Sequence, residues 1–125
     1  MKIVRMDKSE RVKYVDNPIV VGDVYRQGFA EGYSKSIRVG VVDFENGGRN
    51  TLHTHETDQV LIFTEGEGIV ATETEEHKVT AGDVAIILGG EKHWHGAQPG
   101  HSMKQLGIMA VKPGQTEFIK AAEDK

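Results

Sequence analysis

The amino-acid sequence predicts an all-β domain, built as a sandwich or a small antiparallel barrel. Fifteen glycines and three prolines divide the 125 residues into short segments. The segments are rich in Val, Ile, Thr and Phe, and few of them show the period of a helix. Short strands at this spacing are typical of sandwiches and barrels. A chain of this length is the size of one ordinary domain, so we predict a single domain over residues 1–125.

Five strands are clearest in the sequence. In chain order they cover residues 36–44, 59–64, 68–72, 84–88 and 103–111. The acidic segment TETEEH, residues 72–77, lies between two of the β-like runs and indicates a solvated hairpin tip. The last twelve residues, 114–125, favour a short helix or an edge strand with a frayed end. We therefore predict a core barrel over about residues 36–111, with N-terminal strands and a short C-terminal tail packed on it.

The composition limits which metal ligands and which macromolecular partners are possible. The chain contains no cysteine, so any metal must be held by nitrogen and oxygen. The formal net charge is -4 and the basic residues are dispersed, which argues against nucleic acid and anionic membrane as partners. The first twelve residues lack the apolar centre of a signal peptide, and no apolar run is long enough to cross a bilayer. A cytoplasmic protein is expected.

The segment LHTHETDQ, residues 52–59, carries two histidines two positions apart. In an extended strand alternate side chains share a face, so His53 and His55 point the same way and Thr54 points the other way. Two imidazoles on one face make half of a metal site. An HxH pair is common by chance, however, and by itself it is a weak signal.

The residues around this pair form two spaced motifs. The first contains Gly47, His53, His55, Gln59 and Gly66. The second begins at Gly82-Asp83, continues through the turn Leu88-Gly89-Gly90 and ends at His93. Together these motifs resemble the two motifs of the cupin superfamily, and the resemblance covers roughly residues 36–111. Gln59 stands where that family usually has glutamate, Leu88 replaces the turn proline, and Ala97 replaces an asparagine.

The resemblance implies a small antiparallel double-stranded β-helix, the cupin or jelly-roll barrel. It also implies that His53, His55, Gln59 and His93 bind one divalent transition metal ion inside the barrel. Manganese is the first expectation, and iron, nickel, zinc and copper suit the same nitrogen and oxygen donors. Because all four donors are neutral, the bound ion would keep its full double charge.

Strand alternation predicts the lining of a substrate pocket beside the ligands. The predicted lining residues are Gly40, Val42, Phe44, Leu61, Phe63, Gln105 and Met109. His95 would share a face with His93 if both lie on a strand, and it is the candidate catalytic base. A histidine hydrogen-bonded in the wall, with no catalytic part, is the alternative for His95.

Three function classes follow from these features. The string HWHGA at residues 93–97 and the glutamine in the first motif are similar to a bacterial group of small cupins that includes manganese-dependent hydroxynitrile lyases. That group also includes barrels related to those fused with carboxymuconolactone decarboxylase domains. A lyase acting on a small hydroxylated or carbonyl compound is the first class. A metal-dependent dioxygenase and a non-catalytic small-molecule binder are the other two. Small barrels of this kind commonly pair, so a homodimer is expected.

Overall fold

The computed structural model describes residues 1–111 and 116–118. One 3-10 turn, Lys8–Glu10, precedes ten strands in this part of the chain. The strands are β1 Val12–Lys13, β2 Val20–Gly28, β3 Ile37–Asn50, β4 His53–His55, β5 Gln59–Ala71, β6 Glu76–Thr80, β7 Val84–Ile87, β8 Trp94–Ala97, β9 Met103–Ala110 and β10 Thr116–Phe118.

The strands close into a barrel because the two long strands each take part in both walls. Strand β3 pairs with β9 and β8, and strand β5 pairs with the same two strands. All of these pairings are antiparallel, so β3, β9, β5 and β8 form a closed ring of hydrogen-bonded neighbours. Strand β2 extends the wall beyond β3, and β6 and β7 flank β5. The prediction of an all-β antiparallel cupin-type barrel is confirmed.

The hydrophobic core lies inside this barrel. Its largest side chains are those of Phe44, Leu61 and Phe63, each exposed by 2% or less. Val24 and Met103 pack against them from β2 and β9. Alternation on each strand sends these residues inward. Val24 and Phe44 also border the cavity described below, so the core forms part of its wall.

Two strands are longer than the sequence predicts. The predicted strands 59–64 and 68–72 merge into one strand, β5, which ends at Ala71, because a bulge between Phe63 and Glu65 bends the strand without ending it. Gly66 follows the bulge with a φ of +84°. Strand β3 likewise continues past residue 44 to Asn50, through Asn46 and Gly47 with positive φ. Both bends let one strand serve two walls of the barrel.

The remaining predicted segments fall near their expected places. The turn in the acidic segment 72–77 is closed by a hydrogen bond from the Thr72 nitrogen to the Glu75 carbonyl, and β6 starts at Glu76. In the tail, residues 116–118 form β10, which pairs with β4. The other residues of the predicted tail element, 114–115 and 119–125, lie outside the described residues.

Gly66 offers a direct test of the bend in β5. A Cβ atom at Gly66 would overlap the carbonyl oxygen of Ser102, whereas one at Gly82 would meet nothing within 4 Å, although both residues have positive φ. Backbone strain alone should cost Gly82→Ala about 1 kcal/mol. Gly66→Ala should cost about 3 kcal/mol, because overlap adds to strain. Urea unfolding measures both values, and equal losses would contradict the close approach at Gly66.

Candidate metal centre

Three histidines meet where β4 faces the segment before β8. His53 and His55 are the two ends of β4 and project from one face of it. An isolated antiparallel bridge joins His53 to His93, and these two residues exchange both backbone hydrogen bonds at 2.9 Å. Directly opposed residues of an antiparallel pair project to the same face, so His93 joins the other two. All three residues are buried.

Backbone carbonyls orient the three imidazole rings. In each ring Nδ1–H donates to the carbonyl oxygen of a residue two positions away. The acceptors are Thr51 for His53 at 2.6 Å, Thr57 for His55 at 3.0 Å and Glu91 for His93 at 2.8 Å. Because Nδ1 carries the proton, each Nε2 has a free lone pair, which is the arrangement seen in metal-binding histidines.

The free nitrogens converge. One ring nitrogen from each of His53, His55 and His93 lies within 4.8 Å of the others. Nε2 of His93 is buried and has no hydrogen-bond partner in the part of the chain that the structure describes. Leaving such an acceptor unsatisfied costs roughly 1–3 kcal/mol, and a divalent cation would satisfy it. The three-histidine group could therefore hold a metal ion.

Gln59 stands at the edge of this group. Its Oε1 atom lies 3.2 Å from Nε2 of His55, and its Nε2 atom donates to the sulfur of Met109 at 3.8 Å. Both Oε1 and the His55 Nε2 are acceptors, so neither donates to the other. Their separation is about that of two adjacent ligands bound at roughly 2.1 Å to one ion. The donor set therefore fits a transition metal ion with four neutral ligands.

Burial keeps the histidines neutral. Desolvation lowers the pKa of His53 to about 4, helped by the nearby His93 and opposed by the hydrogen bond to Thr51. Desolvation also lowers the pKa of His93 to about 4. Near pH 7 these imidazoles are therefore unprotonated and available as ligands.

His95 is buried next to the group, on β8. Its backbone nitrogen donates to Oδ1 of Asn50 at 2.7 Å, and Nδ2 of Asn50 donates to Nε2 of His95 at 3.2 Å. Nδ1 of His95 therefore carries the proton in the neutral ring. Desolvation, and then the neighbouring His53 and His93, hold the pKa of His95 well below its usual value, and a hydrogen bond to the Gln105 side chain opposes this lowering. His95 is thus a neutral imidazole that contacts the side chains of Asn50 and Gln105.

A cavity of about 630 Å³ opens beside the histidines, and its lining includes His53, His55, Gln59 and His95. Five of the seven predicted pocket residues line it: Gly40, Val42, Phe44, Gln105 and Met109. The other two, Leu61 and Phe63, lie in the core and are not part of the lining. The structure therefore brings the predicted ligands and most of the predicted pocket together.

Several lining residues were not predicted. Asn50, Arg26 and Arg38 all line the cavity. Arg38 could have been found, because it alternates with Gly40 on a predicted strand. The contact of Asn50 with His95 follows from the pairing of β3 with β8, which no local pattern reveals.

Comparison with known proteins agrees with the fold and the site. The profile of the cupin domain matches residues 40–105, more than half of the chain. The chain therefore belongs to the cupin family. Within the part that the structure describes, no helix is long and apolar enough to span a membrane.

Individual relatives add detail. The chain is 44% identical over 75 residues to an (R)-mandelonitrile lyase of Granulicella tundricola, a match covering 59% of this chain and 57% of that protein. The chain thus spans well under two thirds of that relative. It is also similar to a cupin-like protein of Thermotoga maritima, with 28% identity, a TM-score of 0.80 and coverage of 91% and 89% of the two chains. A polyketide cyclase of Streptomyces resistomycificus shares the fold at 15% identity, with a TM-score of 0.80 and coverage of 95% and 88%.

Removing one histidine tests the metal centre. We expect His93→Ala to retain less than a tenth of the metal that the wild-type protein retains after purification and dialysis, because loss of one ligand weakens the site steeply. Elemental analysis gives the metal content per chain. His101→Ala, which changes an exposed histidine, is the control and should keep the wild-type content. Full occupancy in His93→Ala would contradict the assignment of this ligand.

Proposed function

We propose that this cupin binds one divalent transition metal ion through His53, His55, His93 and Gln59. We further propose that it is a lyase that cleaves and forms a carbon–carbon bond at a small hydroxylated or carbonyl compound. The observation that carries the proposal is the convergence of ring nitrogens from three buried histidines, with one amide oxygen beside them, next to a cavity that His53, His55 and Gln59 line. The similarity to an (R)-mandelonitrile lyase supports the choice of reaction. Manganese is the metal we propose first.

The ligand set determines how electrophilic the site is. When bound, a divalent ion with four neutral ligands supplies strong Lewis acidity toward a hydroxyl or carbonyl oxygen. The chain maintains this state by holding the imidazoles of His53 and His93 neutral and by presenting the amide of Gln59 in place of a carboxylate. The hydrogen bond from Gln59 to Met109 keeps the amide oxygen turned toward His55.

His95 is the residue proposed to move the proton. In cyanohydrin cleavage the hydroxyl group loses its proton, the bond to the nitrile carbon breaks with its electrons going to cyanide, and cyanide takes up a proton. The products are an aldehyde and hydrogen cyanide. To accept the hydroxyl proton at Nδ1, His95 must first move its own proton to Nε2, which then faces the Nδ2–H of Asn50 and leaves two buried donors without acceptors, at a cost of roughly 1–3 kcal/mol each. Together these costs are smaller than a typical catalytic barrier.

Turnover by the manganese-loaded protein tests this function. We expect racemic mandelonitrile to release benzaldehyde, measured by absorbance, with no uptake of oxygen. His95→Ala should keep the metal and lose about 100-fold in kcat/KM, because a positioned proton acceptor is removed. His77→Ala, an exposed histidine on β6, is the matched control.

Three results would change the conclusion. Unchanged turnover in His95→Ala would show that His95 is a structural residue of the cavity wall with no catalytic part. Oxygen uptake in step with product would favour a dioxygenase. Thermal stabilisation by small hydroxy compounds without any product would indicate a binding protein.

We also propose that the protein is a homodimer that pairs through strand β7. Val84, Ile86 and Leu88 alternate along the outer face of this segment and are 57%, 68% and 59% exposed. Strand β7 pairs with β5, and its other edge has no strand partner among residues 1–111 and 116–118. An exposed apolar edge strand is unfavourable in water unless it is covered.

A charge on this edge should separate the subunits. We expect Ile86→Glu to convert a dimer into a monomer at micromolar concentration, because a buried carboxylate would lack a partner. Sedimentation velocity measures the mass. Val15→Glu, at another exposed valine, should leave the dimer intact. A wild-type protein that sediments as a monomer would refute the dimer.

A further inference from the structure

Strand register arranges the inner wall of the cavity in rows that run across the strands. Directly paired residues on neighbouring strands share a face, so each row can be followed from β5 through β9 and β3 to β2. The first row is Gln59–Met109–Arg38, the second is Leu61–Gly107–Gly40–Gly28, and the third is Phe63–Gln105–Val42–Arg26. The metal ligand Gln59 therefore starts a row that ends at a guanidinium group.

The middle row is a trough. Its members on β9 and β3 are Gly107 and Gly40, so no side chain of this row rises from the wall there. On β2 the row ends at Gly28, where the carboxylate of Glu31 covers the glycine, 2.7–2.9 Å from the position of a Cβ atom. A Cβ atom at Gly40 would come within 2.8 Å of the Gln27 carbonyl oxygen. At Gly107 it would only touch Leu61 and Gln59, at 3.7 and 3.9 Å. A flat, planar ligand could lie along this trough, bordered by the first and third rows.

The far side of the trough carries positive charge. Arg26 is paired with Glu31, with 3.3 Å between the guanidinium nitrogen and the carboxylate oxygen. Arg38 also lines the cavity, and it makes no ion pair with any carboxylate in the part of the chain that the structure describes. Burial raises the pKa of the Tyr14 phenol, and the positive charge of Arg38 acts to lower it. The arginines thus leave one uncompensated positive charge at this wall.

The spacing suits a small ligand. Arg38 and Gln59 are two strands apart in one row, which places their Cα atoms roughly 10 Å from each other. The long side chain of Arg38 can cover much of that span. A ligand with its reacting oxygen near Gln59 and an anionic group several bonds away would reach both ends. An arginine fork binds a carboxylate in two parallel hydrogen bonds.

We propose that the cavity is a binding site for small organic acids, with the carboxylate on Arg38, the planar body beside Met109 over Gly107 and Gly40, and the hydroxyl or carbonyl group at the histidine end. This proposal deepens the proposed function and rests on it only for the position of the reacting group. The carboxylate site itself depends on Arg38 and the trough. Specificity then comes from a charge at the end of the cavity opposite the histidines.

A pair of matched aldehydes tests the charge preference. Binding of 4-carboxybenzaldehyde and benzaldehyde to the manganese-loaded protein is measured by calorimetry, and again after the metal is removed with a chelator. We expect the carboxylated compound to bind about tenfold more tightly in both forms. The preference should weaken as salt is raised, because the site lies at an exposed mouth.

Variants assign the preference to one residue. Arg38→Gln should abolish it, and Arg38→Lys should restore part of it, since lysine keeps the charge and loses the fork. Lys35→Gln removes a nearby exposed charge outside the cavity and should leave the preference unchanged. Circular dichroism shows whether each variant is folded.

The outcomes separate this proposal from the lyase proposal. Equal binding of the two aldehydes by the wild-type protein, or a preference that survives in folded Arg38→Gln, would overturn the carboxylate site even if mandelonitrile is cleaved. A preference that depends on Arg38 would support the site even if no lyase activity is found. A preference seen only in the metal-loaded protein, and kept in Arg38→Gln, would assign the carboxylate to the metal and also overturn the proposal.

Discussion

The double hydrogen bond between His53 and His93 is the constraint on which the candidate site depends. It joins a three-residue strand to the residue that precedes β8 and brings together side chains forty residues apart in sequence. The same backbone geometry supplies the carbonyls of Thr51 and Glu91, which hold the two rings with Nε2 free. Orientation and convergence thus come from one local arrangement of the main chain. The ligand atoms are therefore positioned by the barrel before any ion binds.

The cavity next to this arrangement has two electrostatically different ends. At the histidine end burial lowers the pKa of His53 and of His93 to about 4, so both rings are neutral near pH 7, and the group beside them is an amide. At the opposite end Arg26 is balanced by Glu31, whereas Arg38 keeps its charge. Between the two ends, Gly107 and Gly40 leave part of the wall without side chains. A barrel that shares its fold with proteins of different activities could in this way acquire a preference of its own, since fold alone does not determine function.

Much of the fold was predictable because its signals are local. Alternation fixed the faces of His53 and His55, and the spacing of the two glycine-containing motifs located Gln59 and His93. Alternation also placed Leu61 and Phe63 on the inner face with Gln59, which is correct, but it could not separate core from cavity. That division depends on how far the opposite wall packs down onto β5, and this is a non-local property.

The unpredicted features have the same origin. The sequence predicts two strands where the structure has the single strand β5, because Gly66 and the charged residues around it resemble a turn. In the structure these residues belong to a bulge. Asn50 contacts His95 only because β3 crosses from one wall to the other and meets β8. Arg38 occupies a predictable face, yet its significance depends on its row partners on β9 and β5. Register between distant strands is the information that a sequence pattern lacks.

Anomalous diffraction from crystals of the manganese-loaded protein is the most direct test of the metal centre. We expect a single strong peak within bonding distance of Nε2 of His53, His55 and His93 and of Oε1 of Gln59, with each Nδ1 still facing its carbonyl. A peak elsewhere on the chain, or coordination through Nδ1 atoms with the carbonyl hydrogen bonds broken, would contradict this expectation.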